Sequence, residues 1–177
     1  MIEFYISEEY NVKSDIMLLE LLDPNYCLFI KKQDKNIINY YFDSIKIENK
    51  EVKTKAISIL KPNIPDVVKN LFLKKYNELI FIEEGIFNII DKTGKFNLIS
   101  EILQKLNCSV NYKFKLEDIS NNKCLKNIQF TIDCKIKSKF LRNTIEKIMK
   151  DDIISKYKLK SKHIKKWLNN KYNLLHR

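Results

Sequence analysis

The 177-residue sequence predicts an α+β fold, a curved antiparallel sheet wrapped round one long C-terminal helix. Three observations predict it. Residues 106–117 alternate strictly, with Leu106, Cys108, Val110, Tyr112, Phe114 and Leu116 on one face and polar side chains on the other. That two-residue period belongs to a strand with one dry face and one wet face. A second run repeats it, with Cys124, Ile128, Phe130, Ile132, Cys134 and Ile136 inward and Lys126 as the one break in the pattern. The polar loop between them has the Asp, Ser and Asn chemistry of a hairpin turn. From Ser138 the apolar period lengthens to three and four, through Leu141, Ile145, Ile148, Met149, Ile153, Tyr157, Ile164, Trp167, Leu168 and Tyr172. No proline or glycine interrupts this run, so it reads as a single amphipathic helix capped by Ser138. Residues 158–162 are its weakest stretch.

The remaining elements follow in chain order. Ile2, Phe4 and Ile6 alternate as a first short strand, and Ser7 before Glu8, Glu9 and Tyr10 is a helix-start signal. Val12, Ile16, Leu19 and Leu22 trace a helical stripe that Pro24 ends, because proline disfavours helical backbone at the residue before it. Residues 26–30 are short and apolar and fit either type. Residues 36–48 and 52–60 read as strands joined at Asn49-Lys50. In the first, Ile38, Tyr40 and Phe42 share a face while Ile45 and Ile47 shift phase, which places a bulge near Asp43-Ser44. Pro62 and Pro65 punctuate a loop that leads into a short helix over residues 67–73. Residues 79–90 form a strand, and Asp91-Lys92-Thr93-Gly94 a turn with Gly94 available for positive φ. Phe96 and Leu98 continue as the next strand, and residues 100–106 fit either a strand or a helical turn.

Length and composition bound the reading to one domain over residues 1–177 with a real core. No apolar run approaches the length of a membrane span. The first residues lack the basic region and cleavage site of an export signal, so Cys27, Cys108, Cys124 and Cys134 are expected as reduced thiols, most simply small buried hydrophobes. Cys108 and Cys134 should approach one another on the inner face. Only Gly85 and Gly94 occur, so no glycine-rich phosphate cradle exists. The net charge of +11 is unevenly placed: residues 137–177 carry 13 Lys or Arg against 3 acids, and the other 136 carry 20 against 19. The terminal helix is therefore either a solvated basic face or a patch for anionic lipid or nucleic acid.

Three local features carry a family resemblance. They are the loop Pro62-Asn63-Ile64-Pro65 ahead of the strand with Glu83-Glu84, the two closing strands, and the junction over residues 136–147, where a basic-apolar step opens a helix containing Ile145-Glu146. This arrangement resembles the START-like (SRPBCC, helix-grip) superfamily of lipid-transfer, polyketide-cyclase and birch-pollen-allergen-like domains. It departs from many members in carrying Ser138 rather than glycine at the final strand-to-helix junction. The resemblance implies an elongated apolar cavity between sheet and helix that holds a lipid or other hydrophobic ligand. Tyr112, Phe114, Phe130, Ile132, Ile145, Met149, Ile153 and Tyr157 face that space, and the same residues would equally fill a solid core. If Glu84 shares the inner face with Ile80, Ile82 and Ile86, it becomes a polar group able to orient the ligand.

Catalytic and metal chemistry find little support. His163 and His176 are the only histidines, no metal-type spacing or CxxC exists, and no nucleophile–base pair presents itself. No cofactor, no metal and no enzymatic activity are expected. Trp167 among Lys162, Lys165, Lys166 and Lys171 fits an interfacial anchor beside a basic patch; it equally fits a plug closing the end of the helix–sheet seam. The leading expectation is thus a cytoplasmic lipid-binding domain that touches anionic membrane through its basic helix. The rivals are a nucleic-acid-associated protein using the same helix, and a cavity enzyme of polyketide-cyclase type.

Overall fold

The computed structural model describes residues 1–62 and 77–172, so the short helix expected over residues 67–73 lies outside the described residues. The described strands are β1 (Ile2–Tyr10), β2 (Ile37–Glu48), β3 (Glu51–Leu60), β4 (Leu79–Asn88), β5 (Thr93–Ile99), β6 (Cys108–Ser120) and β7 (Lys123–Cys134). They form one antiparallel sheet in the order β1-β7-β6-β5-β4-β3-β2. The helices are α1 (Ser14–Glu20), α2 (Pro24–Gln33), α3 (Glu101–Lys105) and α4 (Lys139–Tyr172). This is the expected α+β arrangement.

The two long alternating runs pair as a hairpin from Cys108 opposite Cys134 to Ser120 opposite Lys123. The expected bulge in β2 is present as a register shift between Phe42 and Ser44. Other details differ. Ser7 starts no helix; β1 continues to Tyr10, opposite Cys124, because β7 offers a ladder partner to every residue of that stretch. Pro24 opens α2 rather than only closing α1: Asp23 caps the new helix by accepting from the Asn25 amide at 2.9 Å, and proline fits a first turn that needs no amide hydrogen. Leu19, expected within the buried stripe, is exposed, while Met17 and Leu18 are buried. Ser100 settles the ambiguous stretch by capping α3.

The positive-φ residue of the β4–β5 turn is Lys92, not Gly94. Gly94 serves the packing instead: a Cβ there would come within 2.5 Å of the Phe114 ring. Cys108 and Cys134 are joined as a disulfide, correcting the expectation of four thiols, because their register places the two side chains directly opposite on one face. Cys27 and Cys124 are free and buried.

Helix α4 runs unbroken for 34 residues, including the lysine-rich stretch expected to be weak. The Ser138 hydroxyl caps it, accepting from the Leu141 amide at 3.4 Å. Its close approaches are to β7, β1 and α2. Ile145, Ile164 and Leu168 are fully buried, each contributing about 1.5–3 kcal/mol. The buried Glu146 fastens the start of the helix to the sheet, accepting from the Cys134 amide at 3.2 Å and the Met1 amine at 2.9 Å. Among the described residues no helix is long and apolar enough to cross a membrane.

Candidate ligand-binding site

Strand register builds the floor of the site. Gly85, Phe96, Tyr112, Phe130 and Phe4 are successive cross-strand partners on β4, β5, β6, β7 and β1, so they form one row across the inner face. Phe96 stacks on Tyr112 with centroids 5.0 Å apart, Tyr112 meets Phe130 at 5.2 Å, and Phe130 stacks on Phe4 at 5.1 Å. Phe114 joins from the next row, 5.9 Å from Phe96. Gly85 makes the row possible, since a Cβ there would fall 2.5 Å from both the Lys95 carbonyl oxygen and Phe96 Cγ. Helix α4 supplies the roof: Tyr157 stands edge-on to Phe130 at 6.2 Å.

The expected cavity residues therefore share one interior. Phe114, Phe130, Ile132, Ile145 and Tyr157 are buried, and Tyr112, Met149 and Ile153 are partly buried against the core. Glu84 does not belong there. It lies on the outer face, paired with Lys55 at 3.8 Å, and Glu83 points inward instead. Strand β3 sets this phase: Glu83 is opposite the buried Ala56, and Phe87 is opposite the buried Val52. Ile80 and Ile86, expected inside with Glu84, are exposed.

The interior also holds charges that the apolar pattern did not reveal. Lys126, the break in the β7 alternation, is only 7% exposed, with its ammonium 4.8 Å from the centre of the Phe114 ring. Burial first, then the positive charge of Lys160, pushes its pKa down to about 7, against the opposing pull of Glu83 and Cys124. Lys160 hangs from α4 with its ammonium 5.8 Å from the Tyr40 ring. Burial opposes its charge, but Glu83, then Tyr26, Cys27 and Tyr10, hold its pKa above the ordinary value. Tyr112 is held well above the usual phenol range by burial, then by the charge and hydrogen bond of Glu83. Glu83 is thus the carboxylate facing both lysines.

Two phenols in this interior lack partners. Among the described residues the hydroxyls of Tyr26 and Tyr157 are fully buried without a well-formed hydrogen bond, and burial drives both pKa values well up. Tyr10 is the nearest polar neighbour of the Tyr157 hydroxyl and raises its pKa further, after burial, but no well-aligned hydrogen bond joins them, and the Tyr10 hydroxyl donates to Ser161 Oγ at 3.2 Å. Buried polar groups are nearly always paired, so these two hydroxyls are exceptions to the rule.

The residues expected to meet a membrane are mostly engaged within the fold. Trp167 packs on Phe29 at 5.3 Å and on Tyr26 at 6.2 Å, and its indole N–H donates to the buried Glu20 at 2.6 Å. Lys171 and the Tyr172 hydroxyl also donate to Glu20, at 2.8 and 2.6 Å, and Lys171 reaches Asp23 at 2.8 Å. This is the plug geometry, closing the seam between α4 and α2. Lys165 pairs with Glu8 at 2.7 Å, Lys166 with Gln33 at 2.7 Å, and Lys162 is exposed. A surface cleft of about 350 Å³ beside this network is lined by Asp23, Asn25, Phe29, Trp167, Asn170 and Lys171, and includes none of the inner lysines or orphan tyrosines.

The arrangement of sheet and spanning helix recurs in solved structures. The chain is similar to Ara h 8.0201, at 11% identity over 96% of this chain and 98% of that one, with a TM-score of 0.64. It is likewise similar to norcoclaurine synthase from Thalictrum flavum, at 11% identity over 94% and 86% with a TM-score of 0.62. A START superfamily protein from Mycobacterium smegmatis aligns at 7% identity over 98% of both chains, with a TM-score of 0.51. The protein has the START-type helix-grip fold. No family model matches the chain, and no curated protein matches it in sequence. Helix-grip neighbours include enzymes: the Thalictrum synthase has been solved with dopamine and hydroxybenzaldehyde, and the Zhui aromatase/cyclase from Streptomyces sp. R1128 aligns with a TM-score of 0.60 at 4% identity.

Proposed function

We propose that this protein binds, and can hand on, a lipid or other hydrophobic ligand held between the inner face of the sheet and α4. The observation that carries the reading is the pair of buried hydroxyls on Tyr26 and Tyr157 without a well-formed hydrogen bond among the described residues, the second standing over the aromatic row at Phe130. A core packed only for stability would have no use for them. Burial of an alkyl chain there is worth about 0.8 kcal/mol per methylene. Native mass spectrometry of protein purified from several hosts should show a bound apolar species; a clean ligand-free mass from all of them would overturn the reading. We also propose a contact with anionic membrane, drawn more narrowly than the sequence suggested. It rests on the exposed lysines of α4, such as Lys158 and Lys162, with Trp167 excluded from it. Binding to anionic vesicles should fall as salt rises, with no binding to neutral ones.

One observation favours a second reading, a cavity enzyme. An amine poised near neutrality at Lys126, sharing an interior with Glu83, has the properties of a general base. Consumption of a bound carbonyl compound, lost in Lys126→Met, would promote this reading over simple binding.

A further inference from the structure

We propose that the ligand of this interior is a singly charged anionic amphiphile, a long-chain carboxylate, whose head is met by Lys126, Lys160, Tyr26 and Tyr157. The proposal rests on the reading that the interior takes a ligand at all, and adds what that ligand must carry.

The argument begins with charge. Two ammonium groups and one carboxylate face one another here: Lys126 from β7, Lys160 from α4 and Glu83 from β4. Glu83 is the dominant favourable charge at Lys160, and among the described residues no ion pair forms at Lys126. The ring of Phe114 at 4.8 Å is a weak substitute for a counter-ion. The other titratable groups turned toward Lys126 do not change this. Cys124 is a neighbour on its own strand, its thiol pushed up to about 11 by burial, and Glu8, opposite Lys126 on β1, is already paired with Lys165 at 2.7 Å. Whenever Lys126 carries its proton, one positive charge is left over. A buried cation is held out of water only at considerable cost unless an anion meets it.

Hydrogen bonding points the same way. The orphaned groups are phenols, which donate one hydrogen each, and ammonium groups donate only. The compartment thus presents an excess of donors, and a carboxylate is acceptor-only with two oxygens. A phosphate monoester would bring close to two charges against one unmatched cation. The aromatic row Phe96-Tyr112-Phe130 supplies the apolar surface for the tail. Binding of the anion should also draw a proton onto Lys126 at mildly alkaline pH, because the new neighbour offsets the burial that depresses its pKa.

The test uses the full chain and an uncharged fluorescent probe, N-phenyl-1-naphthylamine, displaced by oleate, oleyl alcohol or methyl oleate at pH 7. Oleate should displace the probe about 10- to 100-fold more effectively than the alcohol or ester, the margin of a charge-assisted hydrogen bond. Lys126→Met should erase that margin, so that oleate and oleyl alcohol displace the probe alike, and Lys126→Gln should behave the same way should the methionine variant fold poorly. At pH 8 the heat of oleate binding should depend on the ionisation heat of the buffer, in the wild type only. Equal binding of acid and alcohol, or an unchanged preference in both variants, overturns the carboxylate proposal and leaves apolar binding intact. Failure of the probe and of all three oleyl compounds to bind overturns both.

Discussion

Gly85→Ala tests the aromatic row directly. A methyl group at this position would meet the Lys95 carbonyl oxygen and Phe96 Cγ, both at 2.5 Å, well inside contact distance. The carbonyl belongs to the β4–β5 ladder and cannot retreat, so the ring of Phe96 must swing away. That displaces its stacking on Tyr112 at 5.0 Å and on Phe114 at 5.9 Å. Overpacking costs about 1–3 kcal/mol, and the rigid backbone neighbour places this case at about 2–3 kcal/mol. For a chain of this size that corresponds to a fall of about 5–10 °C in Tm. Urea titration followed by circular dichroism should show a lower midpoint with an unchanged slope, the signature of lost stability without altered compactness. Phe96→Leu in the Gly85→Ala background should recover part of the loss, since a smaller side chain removes the clash. A Gly85→Ala protein as stable as the wild type would refute the argument that glycine is required beneath the ring.

Glu20→Gln should cost about 2 kcal/mol, because the buried carboxylate accepts from Trp167, Lys171 and Tyr172, and an amide leaves part of that demand unmet. The sole tryptophan reports the change as a shift in fluorescence emission. Lys126, with a folded pKa of about 7 against an unfolded value of about 10.4, binds fewer protons folded than unfolded between those limits, so its penalty is full below pH 7 and relieved as pH rises. Lys126→Met should therefore stabilise the ligand-free protein at pH 6–7, and the gain over the wild type should shrink by pH 9; a constant difference would refute the assigned burial. Asp118→Ala should cost about 1 kcal/mol, as the carboxylate accepts from the Ser14 amide at 2.7 Å and caps α1 from a neighbouring strand. The Ser14 hydrogen bond, with Lys92 adding to it, holds the Asp118 pKa below its ordinary value, so the contribution is present above that value and is lost as pH falls through the folded pKa.

Where one face of an element alone was apolar, the sequence was legible. The alternation of residues 108–116 and 124–134 gave the hairpin and its register, and the phase change at Ile45 gave the β2 bulge. Strand β4 was not legible because both of its faces are rich in large apolar residues. Ile80, Ile82 and Ile86 outnumber Phe81 and Phe87, so the pattern favoured the wrong phase, and the true one is imposed by register with β3. The inner charges were signalled only as irregularities. Lys126 interrupts an otherwise apolar face, and Lys160 falls in the six-residue gap between Tyr157 and Ile164 on the helix stripe. Sequences that otherwise agree with their fold tend to break the rule where function requires it. Tyr26 gave no signal, since whether a phenol finds a partner depends on three-dimensional placement.

The irregularity in β2 bears on how this protein behaves at high concentration. Strand β2 bonds to β3 on one side only among the described strands, leaving the opposite row of amides and carbonyls as a template for another chain. The register shift at Phe42 and Ser44 interrupts that row midway and adds local twist, so a second molecule cannot zip along its whole length. A kink in the strand thereby guards a sticky margin against fibril-like stacking.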